Sequence, residues 1–150
     1  MELTAEYTFD APIARVWEVL MDPQSIAACL PGCQKFEAIG DDRYQVTLTA
    51  GVAAITGSFS GTVVMADKKP FESYRLIVEG RGAPGFVNGQ STITLRSVDG
   101  GVDTVVIAVA GTVTVGGLVA QVGQRLIGAT ARLMMDRFFN CLRANAKSAA

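Results

Sequence analysis

From Leu3 to Phe9 apolar and polar residues alternate, with Leu3, Ala5, Tyr7 and Phe9 on one face and Glu2, Thr4, Glu6 and Thr8 on the other. Period-two alternation predicts a half-buried strand. The pattern then changes. Asp10 is placed to cap a helix and Pro12 fits a first turn, where a missing N–H costs nothing. Val16, Trp17 and Leu20 gather on one side of a helix over residues 12–21, flanked by Arg15 and Glu18. A shorter helix is expected from Pro23 to Cys29, and Pro31-Gly32 turns the chain into a second strand, Gln34 to Ile39.

The next stretch reads almost entirely as strands. Gly40-Asp41-Asp42 is a hairpin turn, since Gly and Asp accept the backbone angles it needs. Tyr44, Val46, Leu48, Ala50 and Val52 form the apolar face of a third strand, and Ile55, Gly57, Phe59, Gly61, Val63 and Met65 that of a fourth. Asp67-Lys68-Lys69-Pro70 is a charged turn. Leu76, Val78 and Gly80 then point inward against outward Arg75, Glu79 and Arg81. Val87 to Leu95 and Val105 to Val113 complete the sheet, with Asp99-Gly100-Gly101 turning between them. Gly116-Gly117 ends the last strand and starts a long terminal helix. Val119, Val122, Leu126, Leu133, Met134, Phe138 and Cys141 or Leu142 make its apolar stripe, and Gln121, Arg125, Gly128, Arg132 and Asp136 its polar side. Arg132 and Asp136 are spaced to pair along it.

These elements predict an α+β helix-grip fold over a single domain, residues 1–150. A curved antiparallel sheet of about seven strands wraps the C-terminal helix, and two short helices follow the first strand. Gly57, Gly61, Gly80, Gly89 and Gly111, with Ser91, fall where side chains would point inward. Small residues there either bend the sheet around a filled core or leave room for a ligand. The wall of such a cavity is expected from Tyr44, Leu48, Phe59, Leu76, Val78, Ile107, Val109, Val122, Leu126, Met134 and Phe138, with Met135 adding a second flexible thioether. Phe86, in the glycine-flanked segment Arg81 to Gly89, is expected either to gate the cavity or to sit in an ordinary bulged connection.

Composition narrows the chemistry. Half of the 150 residues are hydrophobic (49%), only 18% are charged, and the net charge is −1, so there is no basic field for nucleic acid. No apolar run reaches the roughly twenty residues of a membrane helix, and the acidic, alternating start is unlike a signal peptide. A cytoplasmic location is expected. There is no histidine, which removes the commonest general base, the Ser-His and Cys-His nucleophile pairs and the commonest transition-metal ligand. No phosphate loop, metal cluster or paired carboxylates are evident, so neither catalytic nor metal-binding residues are assigned. Three cysteines, an odd number, argue against a disulfide framework. Cys29 and Cys33 are read either as buried or turn cysteines or as a thiol switch.

The motifs Phe9-Asp10-Ala11-Pro12 with Val16-Trp17, Asp22-Pro23, Leu30-Pro31-Gly32-Cys33, Gly57-Ser58-Phe59-Ser60-Gly61 and Gly116-Gly117-Leu118-Val119-Ala120-Gln121-Val122-Gly123, followed by Phe138-Phe139, give a resemblance that spans nearly the whole chain. The sequence resembles the carbon monoxide dehydrogenase CoxG family of the START-like, SRPBCC superfamily. The opening strand and helix are shared widely in that superfamily. The Leu-Pro-Gly-Cys turn and the Gly-Gly-Leu-x-Ala-Gln-x-Gly helix start look specific to this family. The resemblance implies a partner, a molybdenum hydroxylase of the carbon monoxide dehydrogenase type, recruited to the inner membrane. It also implies a quinone in the helix-grip cavity linking that enzyme to the respiratory chain, with peripheral membrane association. Larger members carry a Pro/Ala-rich extension and a hydrophobic C-terminal anchor, whereas this sequence ends at Ala150 after a polar tail, as a short soluble member or a shortened chain would.

Three functions follow as expectations. The first is a non-catalytic protein that requires no cofactor and holds a quinone or lipid beside the hydroxylase. The second is an enzyme of the polyketide cyclase or dehydratase kind, with Tyr44 as its inward acid or base. The third is a ligand-free assembly factor acting through the Phe86 loop or the Cys29–Cys33 turn.

Overall fold

In the computed structural model the described residues are 1–52, 55–83, 85–98 and 103–148. Strand β1 (Glu2–Phe9) leads into helices α1 (Ile13–Met21) and α2 (Pro23–Cys29). Six strands follow: β2 (Cys33–Gly40), β3 (Arg43–Val52), β4 (Ile55–Lys69), β5 (Ser73–Gly82), β6 (Gly85–Ser97) and β7 (Val105–Gly116). A short 3-10 turn, Leu118–Val122, precedes the long helix α3 (Gln124–Ser148). The strands form one antiparallel sheet in the order β1-β7-β6-β5-β4-β3-β2. The first strand therefore pairs with the last, and α1 and α2 carry the chain from one edge of the sheet to the other. This is the helix-grip architecture that the hydrophobic pattern predicts.

Local chemistry sets the helix ends. Asp22 caps α2 by accepting from the Gln24 backbone N–H at 3.1 Å and the Ser25 hydroxyl at 3.0 Å, with Pro23 in the first turn. Asp10 does not cap α1, contrary to the expectation from sequence. The cap position is Pro12, whose carbonyl accepts from the N–H groups of Arg15 and Val16 at 3.0 Å each, with no side-chain cap. Strand β4 also outruns its predicted end. A bulge lies between Ala66 and Lys69, Asp67 takes a φ of 51°, and the turn falls at Pro70–Glu72 with Phe71 at a φ of 69°. The predicted Asp99-Gly100-Gly101 turn lies outside the described residues.

The terminal helix begins later than its sequence pattern suggests. Gly123, at a φ of 92°, separates the 3-10 turn from α3, so the apolar spacing does not run through it in one phase. The buried stripe is Ile127, Thr130, Phe139, Leu142 and Ala146, with Met134 and Phe138 partly buried beside it, while Leu126 and Leu133 face outward. The predicted Arg132–Asp136 pair gives way to contacts with β1. Arg132 donates to the Thr4 carbonyl (2.6 Å), Arg143 to the Thr8 carbonyl (2.8 Å), and the Tyr7 hydroxyl to Asp136 (2.7 Å). Polar side chains of α3 thus satisfy the outward carbonyls of an edge strand that would otherwise be open to pairing.

The cysteine expectation is corrected as well. Cys29 and Cys141 form a disulfide, with Cα atoms 5.4 Å apart, that ties α2 to α3 across 112 positions. An odd count excludes complete pairing but not one pair, and the distant Cys141 leaves no local spacing signal. Cys33 is the free thiol, so the four-residue switch with Cys29 is not formed.

Candidate ligand-binding cavity

The C-terminal half of α3 packs tightly. Phe139, Leu142 and Ala146 join Phe9, Val16, Leu20 and Ile107 in a filled core over β1 and β7. Toward β3, β4 and β5 the sheet leaves a cavity of about 260 Å³, just below the roughly 300–1,000 Å³ of small-molecule sites. Its sheet side carries Val46, Leu48, Phe59, Val63, Met65, Tyr74, Leu76, Val78, Ser91, Ile93 and Val109. Its helical side carries Leu20, Ile26 and Leu30 from the α1–α2 region and Met134, Met135, Phe138 and Phe139 from α3, with Phe36 of β2 closing the gap.

Glycines make the space. Gly61 and Gly80 face each other across β4 and β5 and both line the cavity. A Cβ on Gly61 would overlap the Glu79 carbonyl oxygen, whereas one on Gly80 would meet nothing nearer than the Val87 carbonyl at 3.9 Å. From this pair a diagonal runs through Gly89 of β6 to Gly111 of β7, where a Cβ would stand 2.6 Å from that of Ser91. Along this line the wall is backbone alone. The same glycine pair floors a shallow polar cleft on the outer face, bounded by Ser60, Thr62, Glu79, Arg81 and Asn88.

Of the predicted wall, the fold brings together Leu48, Phe59, Leu76, Val78, Val109, Met134 and Phe138. The others lie elsewhere. Tyr44 is buried but stacked on Phe36, with ring centroids 4.7 Å apart, so that Phe36 meets the cavity in its place. Ile107 is wholly enclosed in the filled core. Val122 belongs to the 3-10 turn, and Leu126, 41% exposed, points outward. Phe86 is on the outer face, opposite in pleat to Val87 and Gly89, and its ring covers Gly116. Its segment is a ladder, Arg81 opposite Phe86 and Gly82 opposite Gly85, rather than a gate; Pro84 lies outside the described residues.

Sequence reasoning misses Tyr74, although its signal is present, since Tyr74, Leu76, Val78 and Gly80 share one face of β5. Burial pushes the Tyr74 phenol well above its ordinary range. Burial also raises the Cys33 thiol, an effect partly offset by its contact with the Lys35 carbonyl. No cluster of three potential metal ligands occurs among the described residues. Nor does any helix among them have the length and apolarity to cross a membrane.

The same architecture occurs in proteins of known structure. A conserved protein from Geobacillus kaustophilus is 32% identical, with a TM-score of 0.95, the match covering 99% of this chain and 97% of that one. A START superfamily protein from Mycobacterium smegmatis shares the fold at 9% identity and a TM-score of 0.77, over 99% of both chains. The Zhui aromatase/cyclase from Streptomyces sp. R1128 shares it at 16% identity and a TM-score of 0.70, over 98% of this chain and 93% of that one. The model of one family, the CoxG component of carbon monoxide dehydrogenase, matches residues 6–147. No curated protein sequence matches the chain.

Proposed function

The chain belongs to the carbon monoxide dehydrogenase CoxG family, and on that premise we propose that it is a non-catalytic carrier of an apolar ligand, a quinone or a lipid. It acts with a molybdenum hydroxylase of the carbon monoxide dehydrogenase type, in recruiting that enzyme to the membrane or in passing its electrons to quinone. The observation that carries the reading is the cavity wall, which is aliphatic, aromatic and thioether almost throughout. Such a wall favours apolar molecules by removing their surface from water, at roughly 25 cal/mol per Å².

An enzyme of the cyclase kind shares the fold, as the Zhui aromatase/cyclase does. It would need a proton donor or acceptor tuned near neutrality. Tyr44, the expected candidate, stands outside the cavity, and the phenol inside it, Tyr74, is shifted away from neutrality by burial. These placements favour the carrier.

The test is native mass spectrometry of the protein from its own host, with extraction of whatever is released on denaturation, alongside affinity capture of the hydroxylase. A stoichiometric quinone or lipid and a co-purified hydroxylase are expected. An apo mass unchanged after incubation with quinones and fatty acids, with the hydroxylase still captured, would move the function to ligand-free assembly.

A further inference from the structure

Two hydroxyl side chains belong to the inner face of the cavity, Tyr74 and Ser91. Tyr74 pairs with Ile93 and the next inward residue, Leu76, pairs with Ser91, so the two hydroxyls sit on adjacent strands one step apart. Tyr74 is only 3% exposed, and its ring stands edge-on to Trp17 at 5.7 Å. Its hydroxyl has no hydrogen-bond partner among the described residues, and burial alone accounts for its raised pKa. A buried O–H without an acceptor has lost its water and gained nothing in return. The phenol stays protonated at neutral pH and is therefore a standing donor on an otherwise apolar wall.

Charge narrows what that donor can meet. The wall holds no lysine or arginine, and the one carboxylate residue bordering it is Glu79. A buried anion would have no counter-ion there, and burying an unpaired charge is far costlier than burying a neutral carbonyl.

We propose that the Tyr74 hydroxyl is the specificity-determining donor of this cavity, and that the ligand is a neutral, largely apolar molecule carrying one carbonyl-type acceptor oxygen. This rests on the cavity being a ligand site, and it selects within the class already proposed: neutral carbonyl compounds bind, and free fatty-acid anions do not.

Three near-isosteric probes test it by calorimetry near neutral pH: ethylnaphthalene without an acceptor, acetylnaphthalene with a neutral carbonyl, and naphthoate as an anion. Tyr74→Phe is expected to weaken acetylnaphthalene about five- to tenfold and to leave ethylnaphthalene unchanged or tighter, while naphthoate is not taken up by either form. Equal effects of the substitution on the first two probes, or uptake of naphthoate at the affinity of acetylnaphthalene, would overturn the donor assignment while leaving the cavity a ligand site. Uptake of none of the three by the native chain would overturn the ligand site and the donor together. The infrared carbonyl stretch of bound acetylnaphthalene decides the matter even if the variant does not fold. A stretch lowered from its value in hydrocarbon solvent supports the hydrogen bond. An unshifted one, as when a trapped water keeps the hydroxyl, rejects it.

Discussion

Gly61 of β4 stands directly opposite Gly80 of β5, and the two are not equivalent. A methyl group on Gly61 would overlap the Glu79 carbonyl, whereas one on Gly80 would project into free space. Gly61→Ala is expected to cost about 3 kcal/mol, since the backbone must move to admit it, and so to lower the melting temperature by roughly 10 °C for a chain of this size. Gly80→Ala should stay within about 1 kcal/mol of the native protein, because alanine suits a strand better than glycine. Gly80→Leu should fold and reduce acetylnaphthalene binding at least tenfold by filling the cavity. Thermal denaturation of the three variants with parallel calorimetry checks the order. Equal destabilisation by the two alanines would contradict the asymmetry.

The disulfide is a second point of strong expectation. Cys29 and Cys141 close a loop spanning 112 positions, and a cross-link over a loop of that length stabilises by about 2–4 kcal/mol through restriction of the unfolded chain. Reduction, or Cys141→Ser, should lower the melting temperature by about 5–15 °C. Cys33→Ser, which leaves the bond intact, should change it little. Thiol labelling of the denatured, unreduced chain should modify Cys33 alone. Modification of all three cysteines would show that the bond is absent.

Much of this molecule is legible in the sequence, and the reasons are local. Alternation in Leu3–Phe9 and Tyr44–Leu48, and the inward glycines of β4, β5 and β6, are read within one strand, where period two assigns faces without knowledge of the partners. What escapes depends on distant pairing. Cys29 gives no sign that Cys141 is its neighbour. Tyr44 is on the correct face, but only the stacking of Phe36 from the next strand removes it from the cavity. The glycines around Phe86 suggest a loop, whereas its own parity along β6 puts it outside. The polar stripe of α3 reads as solvent-facing because the acceptors it meets are main-chain carbonyls of β1, which have no residue signature.

Helix phase is the clearest such case and can be tested at adjacent residues. Had the 3.6-residue repeat continued through Gly123, Leu126 would be core. With α3 starting afresh at Gln124, Ile127 is buried and Leu126 is 41% exposed. Leu126→Gln should therefore change stability by no more than about 0.5 kcal/mol, and Ile127→Ala should cost about 2–4 kcal/mol. Chemical denaturation resolves the two, and a reversed order would return the helix to the phase read from the sequence.

Two phenols set the alkaline limit of the fold. The Tyr7 pKa is raised above its ordinary value of 10.0 by burial first and then by its hydrogen bond to Asp136, and that of Tyr74 by burial. For an acid whose pKa is higher folded than unfolded, the folded state holds its proton after the unfolded chain has released it. The contribution is therefore complete below pH 10 and is lost as pH rises beyond it, at about 1.4 kcal/mol per pH unit for each phenol. Stability should be flat with respect to these groups up to about pH 9 and fall between pH 10 and 12. Tyr7→Phe should cost about 1–2 kcal/mol at neutral pH, through the lost bond to a carboxylate, and should make the alkaline fall shallower. Tyr74→Phe, which breaks no hydrogen bond among the described residues, should cost less at neutral pH and flatten the same limb. Urea denaturation of the three proteins at pH 7, 9, 10 and 11 measures both effects. An alkaline slope unchanged by either substitution would place the sensitivity in other groups.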